Sequence, residues 1–284
     1  MSKINVYRKH DHFGLVLSDI HADHLGDYDK LADVMRQIRI KTEPSVVFIC
    51  GDIGTQRNLE FFLRIIGSAF SEIPVFFVLG NHDSYFGTLR GASYLATQVA
   101  KEFNNLFFVH NMDVIQLTET SALVGVNGWY DARYGDENTD LILNDFLHID
   151  DLRFAYRDGG KSKLNEIIRR IADEDAETLK VKLVNAAKEN KKVYVLTHVP
   201  PFQEVVMHMK QDGMADISDD KFMPYFSNKA LGDVLTEVAN QFPQVHFEVI
   251  CGHTHTFTSK YPLKNLGVWV MQAEYGKIEA AMEI

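Results

Sequence analysis

Five short apolar runs each end abruptly in residues able to bind a metal, and this recurrence constrains the fold more than any other feature of the chain. The runs are FGLVL (13–17), SVVFIC (45–50), VFFVL (75–79), VYVLT (193–197) and FEVIC (247–251). Their Val, Ile and Phe content and lack of polar alternation predict strands buried on both faces, as in a parallel sheet. The segments 28–40, 59–70, 93–103 and 229–242 carry apolar residues at three- and four-residue spacing and read as amphipathic helices. LFFVH, SALVGVNG and GVWVMQAE are further strand candidates. Strands alternating with helices predict an α/β class.

Directly after the five runs stand SDIH, GD, GNHD, His198 and GHTH. The carboxyl ends of parallel strands share one edge, so these clusters should converge in one crevice. Asp19 and His21 stand two apart, and residues at i and i+2 of an extended segment point the same way. His253 and His255 repeat that spacing. Asp52 follows Gly51 and offers two carboxylate oxygens, Asn81 an amide oxygen and His198 an imidazole. Seven donors are too many for one tetrahedral zinc and suit two metals with room for water and substrate. Two carboxylates against two divalent ions leave a positive pocket that attracts phosphate. A lone Asp, Asn or His after a strand is usually a cap or a structural residue; recurrence at equivalent strand ends favours ligation here. His10, His12, His24, His110, His148, His208 and His246 lack that setting and read as structural.

The rest of the sequence narrows the function class. A net charge of -10 argues against grip on a nucleic-acid backbone, and no window approaches the roughly 18 apolar residues of a membrane span. The N-terminal residues have no signal-peptide character, and the two cysteines, Cys50 and Cys251, read as buried thiols of a reducing compartment. A soluble, cytoplasmic protein without a membrane partner is expected. The charge-rich stretch 140–190 reads as a solvated helical excursion from a single domain covering 1–284. Residues 203–224 mix methionines with aspartates, without periodicity, and read either as a lid loop or as an irregular connection.

The ordered set Asp19-x-His21, Gly51-Asp52, Gly80-Asn81-His82-Asp83, His198 and Gly252-His253-x-His255 strongly resembles the calcineurin-like metallophosphoesterase superfamily, over residues 19–255. The resemblance implies a four-layer αββα sandwich, with two mixed β-sheets flanked by helices. It implies two divalent metal ions, Mn, Fe or Zn: one held by Asp19, His21 and His255, the other by Asn81, His198 and His253, with Asp52 bridging. His82 would contact the phosphate and protonate the leaving group or stabilise the transition state, beside Asn81, while a metal-activated water attacks phosphorus. Asp83 is not assigned as the orienter of His82. The protein serine/threonine phosphatase branch carries Asp and Arg where this chain has Thr55 and Gln56, which argues against protein phosphatase activity. GVNGWYDARYG (125–135) is similar to a stretch of bacterial members; Trp129 and Tyr130 could wall the cleft or pack in the core, and Arg57 and Arg133 are phosphate contacts on residue type alone.

The expected function is hydrolysis of a phosphomonoester or phosphodiester, on a phosphorylated small molecule or nucleotide. A nuclease is disfavoured by the acidic balance. A metal-dependent amide hydrolase would carry its HxH pair near the start of the chain. A non-catalytic scaffold is opposed by the full donor set together with His82.

Overall fold

The computed structural model describes residues 14–210 and 212–278, and the backbone of 282–283; His10 and His12 lie outside the described residues. In chain order the strands are β1 (Gly14–Leu17), β2 (Val46–Ile49), β3 (Val75–Phe77), β4 (Leu106–Phe108), β5 (Ile115–Gln116), β6 (Ser121–Gly125), β7 (Lys192–Leu196), β8 (Met207–Met209), β9 (Ala215–Ile217), β10 (His246–Cys251), β11 (Thr258–Leu263), β12 (Leu266–Val270) and β13 (Met282–Glu283). The helices are α1 (Asp29–Thr42), α2 (Leu59–Ala69), α3 (Leu89–Glu102), α4 (Asp145–His148), α5 (Asp150–Glu189) and α6 (Lys229–Gln241). Helix α3 starts earlier than its apolar spacing suggests, because the Thr88 hydroxyl caps it by accepting from the Gly91 N–H.

Two mixed sheets result. The first runs β13-β1-β2-β3-β4, parallel except for β13. The second runs β11-β12-β10-β7-β6-β5, with a parallel centre and antiparallel edge strands. The layers follow from the two-residue period of a strand. Leu15, Leu17, Val47, Ile49, Val75 and Phe77 face outward onto α1, α2 and α3. Val16, Phe48 and Phe76 face inward, where they meet Leu123, Leu196 and Ile250 of the second sheet. That sheet turns Val193, Val195, Phe247 and Val249 outward onto α5 and α6. Helices, sheet, sheet, helices is the four-layer sandwich, and both sheets are covered on both faces, as their uninterrupted apolar runs require.

The excursion differs from its sequence reading. Helix α5 is interrupted at Gly159 and Gly160, the latter at φ 64, so it is two helices joined at a sharp bend. The second half buries Leu179, Leu183 and Ala186 against the second sheet, and the first half with α4 forms a further core around Tyr130, Phe146, Leu152 and Tyr225. High charge on the outward face hid an apolar inward one. No helix among the described residues is long and apolar enough to cross a membrane. Leu179→Ala should therefore lower stability by about 2–5 kcal/mol, whereas Val181→Ala on the exposed face should stay within about 0.5 kcal/mol. Urea unfolding of the two variants measures the difference, and equal midpoints would contradict a buried α5.

Candidate metal centre

The donor-bearing turns leave β1, β2, β3, β7 and β10 at the edge shared by the two sheets, and the backbone there is unusual. Nine non-glycine residues among those described have positive φ, and five of them are predicted ligands: Asp19 (48°), His21 (42°), Asp52 (51°), His253 (74°) and His255 (56°). Left-handed backbone is unfavourable for such residues and clusters where the surrounding structure imposes it. The two-residue spacing of Asp19 with His21, and of His253 with His255, thus does not work through extended strand geometry. Each chain end curls: Asp19 and His21 stay together beside His255, whereas His253 turns away from His255 toward His198.

Two groups of predicted ligands form, and the His82 imidazole lies within reach of the His21 and Asp52 donors between them. In the first, His255 Nε2 lies 3.3 Å from Asp19 Oδ1 and 3.1 Å from His21 Nε2. In the second, His198 Nε2 lies 3.0 Å from Asn81 Oδ1, 3.2 Å from His253 Nδ1 and 3.4 Å from Asp52 Oδ2. The same Asp52 Oδ2 is 3.7 Å from His21 Nε2, so one oxygen stands between the groups while Oδ1 accepts the His82 N–H at 2.9 Å. All seven predicted ligands are brought together, and His253 and His255 fall in different groups.

The set fits metal ions on three grounds. Donors bonded to one ion at about 2.1 Å stand roughly 3.0–3.4 Å apart in octahedral or tetrahedral geometry, close to the separations found. His198 Nδ1 faces the Cys50 carbonyl at 2.7 Å and His253 Nε2 the Tyr225 carbonyl at 3.1 Å. A carbonyl only accepts, so those nitrogens carry protons, and His198 Nε2 and His253 Nδ1 are the nitrogens that face each other inside the site. Third, the site attracts positive charge. Burial raises the Asp19 and Asp52 carboxyls, yet the surrounding imidazoles outweigh it, holding Asp19 at about 2 and Asp52 well below the usual range. Burial also pushes the His198 imidazole down, but Asp52 and Asp19 lift it to about 9. His21 and His253 are depressed to about 3, burial being the main cause, and are neutral lone-pair donors at neutral pH. Among the described residues, the ion pairs of Asp19 and Asp52 are with imidazoles rather than with Lys or Arg.

The motif glycines are needed for close approach. A Cβ on Gly80 would stand 2.1 Å from Asp52 Oδ1, and one on Gly252 would stand 2.2 Å from Asp19 Oδ2. Asp83 is buried and accepts from the N–H groups of Ile53, Gly54 and Gly80, tying two donor turns together rather than orienting His82. Burial and the Asp52 charge raise its carboxyl to about 8. His82 sits at the mouth of the site, half-buried, its ring stacked on Tyr85 at 4.2 Å and edge-on to His21 at 4.5 Å. Thr55 and Gln56 serve the scaffold: Thr55 bonds Asn58, and Gln56 Oε1 accepts the Thr88 N–H.

Sequence reasoning missed Asp145 and Tyr275. Asp145 Oδ1 accepts from Asn81 Nδ2 at 3.0 Å and from the Tyr85 hydroxyl, and its Oδ2 accepts from the Tyr130 hydroxyl at 2.7 Å. Because a carboxylate only accepts, this contact fixes the Asn81 amide with its oxygen facing His198. Asp145 lies in the charge-rich excursion, where nothing in a single sequence sets it apart from neighbouring aspartates. Tyr275 packs on His21 and His255 at ring distances of 4.5 and 4.9 Å, and its place just beyond the last strand candidate was the available signal. Trp129 and Tyr130 are buried in the excursion's core, not in the cleft. Arg57 stacks over Phe86 and Arg133 pairs with Asp131 and Asp173. His24, His110, His148 and His246 lie outside both donor groups, whereas His208 lines a cavity beside His253 and His255.

Comparison with known proteins bears on the family and the fold. A family model described as calcineurin-like phosphoesterase matches residues 15–257. A dimetal phosphatase from Danio rerio superposes with a TM-score of 0.56 at 12% identity, covering 92% of this chain and 87% of that one. The protein TT1561 of Thermus thermophilus gives 0.54 at 14% identity, covering 94% and 97%. At such identity the likeness concerns the fold. No curated protein matches in sequence.

Asp145 gives the site an independent check. Loss of a residue that orients a ligand typically costs 10–100-fold in metal affinity, so Asp145→Ala should weaken Mn²⁺ binding by about tenfold or more. Calorimetric titration on protein with unchanged circular dichroism measures this, and unaltered affinity would remove Asp145 from the centre.

Proposed function

The chain belongs to the calcineurin-like phosphoesterase family, and on that premise we propose that it is a binuclear-metal hydrolase of phosphomonoesters or phosphodiesters of small molecules, nucleotides included. Asp19, His21 and His255 would hold one divalent ion and Asn81, His198 and His253 the other, with Asp52 between the two sets. What carries this reading is the convergence of seven donors in two groups that share one buried oxygen. Mn, Fe and Zn all accept this mixed oxygen and imidazole set.

Bound there, the ions supply an activated water and neutralise charge on the phosphoryl oxygens. The residues do the rest. Asp52, fixed by the His82 N–H, keeps the two donor groups in register. Asp145 holds the Asn81 oxygen toward the site. His82, half-buried and braced by Tyr85, is the group free to donate a proton to the departing alkoxide at Nδ1 or Nε2. Gln56, in place of the arginine of the protein serine/threonine phosphatase branch, is engaged with the Thr88 backbone, which supports a substrate other than a phosphoprotein. The acidic balance disfavours a nuclease. The buried, unpaired Cys50 and Cys251 suit a reducing cytoplasm.

Elemental analysis after loading should find about two metals per chain; one tightly bound ion at most would sink the binuclear centre. Asp52→Asn should nearly abolish turnover of a nitrophenyl phosphate ester and weaken metal retention. His82→Ala should cut kcat by about 10²–10⁴ with metal content intact. If the metals leave with the imidazole, His82 is a ligand and its assigned role is wrong.

A further inference from the structure

A cavity of about 730 Å³ opens directly beside His253 and His255, within the roughly 300–1,000 Å³ typical of pockets for drug-sized ligands. Its far wall is the β8–β9 hairpin with the segment just beyond it. Three aromatic rings, set edge to face, line the way to the donor groups. Phe222 and His208 flank Phe226 at ring distances of 6.1 and 4.7 Å, and Phe226 packs on His253 at 4.8 Å. Tyr275 closes the opposite side against His255.

The same walls carry polar groups with nothing to bond. Thr254 is only 6% exposed and its Oγ1 is buried without a hydrogen-bond partner; His208 Nε2 is likewise buried and unpartnered. Buried polar atoms left unpaired are costly, and a binding site that contains them selects a ligand able to satisfy them. A plain aryl group would leave them unpaired. Charge excludes other occupants. The wall away from the donor groups carries Asp216 and Asp219, and Lys210 is already paired with Asp216, so a second phosphate or a nucleic-acid backbone would meet carboxylates.

We propose that this cavity is a subsite for a planar, uncharged heteroaromatic ring of the nucleobase kind, packed face-on against one of the Phe222 and Phe226 rings and edge-on against the other, and hydrogen-bonded by Thr254 Oγ1 and His208 Nε2. The substrate is then a small nucleoside phosphoester, its base in the cavity and its phosphate at the donor groups. The inference rests on the phosphoesterase reading for the substrate's other end, while the subsite itself can be tested without turnover.

Calorimetric titration with adenosine, uridine and ribose, with and without Mn²⁺, tests the subsite directly. At least one nucleoside should bind and ribose should not. Phe222→Ala and the near-isosteric Thr254→Val should each weaken that binding about tenfold. Nucleosides that bind no better than ribose, or binding indifferent to both variants, would overturn the subsite. Hydrolysis of adenosine 5′-, 3′- and 2′,3′-cyclic monophosphate is then compared with ribose 5-phosphate on Mn²⁺-loaded protein. A nucleoside ester should lead in kcat/KM by about tenfold or more, and Phe222→Ala should erode the lead mainly through KM. Nucleoside binding without cleavage of any ester would leave the subsite standing and fell the hydrolase reading. Cleavage with no preference for the base would do the reverse.

Discussion

A single buried carboxylate oxygen, Asp52 Oδ2, stands between two groups of imidazoles, and most of the local structure serves to keep it there. A carboxylate inside a protein is tolerable only with hydrogen bonds and opposite charge around it. Oδ1 is met by the His82 backbone N–H, and Gly80 leaves out the one atom that would collide with it. Asp83 gathers the N–H groups of both flanking turns and so ties the loop with Asp52 to the loop with Asn81. The left-handed backbone at Asp19, His21, Asp52, His253 and His255 is strain that this network sustains.

The two halves of the chain contribute in different ways. The parallel strands bring donors to a common edge by topology alone, which is the general property of such sheets. Orientation comes from elsewhere. The Asn81 amide is aimed by Asp145, itself clamped by Tyr85 and Tyr130, and the His253 ring by the Tyr225 carbonyl. Asp145 at the start of α4 and Tyr225 before α6 lie on segments that bear none of the predicted ligands, so the fidelity of the centre depends on elements outside the donor turns.

How much was readable in the sequence divides along the same line. Strands and donors were legible because burial on both faces forces uninterrupted apolar runs, and a donor at a strand end stands out against them. The layered sheets and the convergence at one edge follow from that pattern. The role of α5 was not legible: its inward residues, among them Leu179 and Leu183, alternate with so many charges that the stretch reads as solvated. Asp145 and His208 meet residues distant in sequence, and a single chain carries no record of such pairs. The geometry of the paired motifs was also hidden, since left-handed turns at Asp or His leave no compositional mark as they do at glycine.

The bend at Gly159 and Gly160 separates two tasks within one long helical segment. Beyond it, the helix is locked to the second sheet; before it, the chain shapes the ceiling over Asn81. Because the chain turns there, Leu152 before the bend and Leu164 after it meet in one core with Tyr130, whose hydroxyl holds Asp145, so both arms of the segment stand behind the aim of a single amide oxygen.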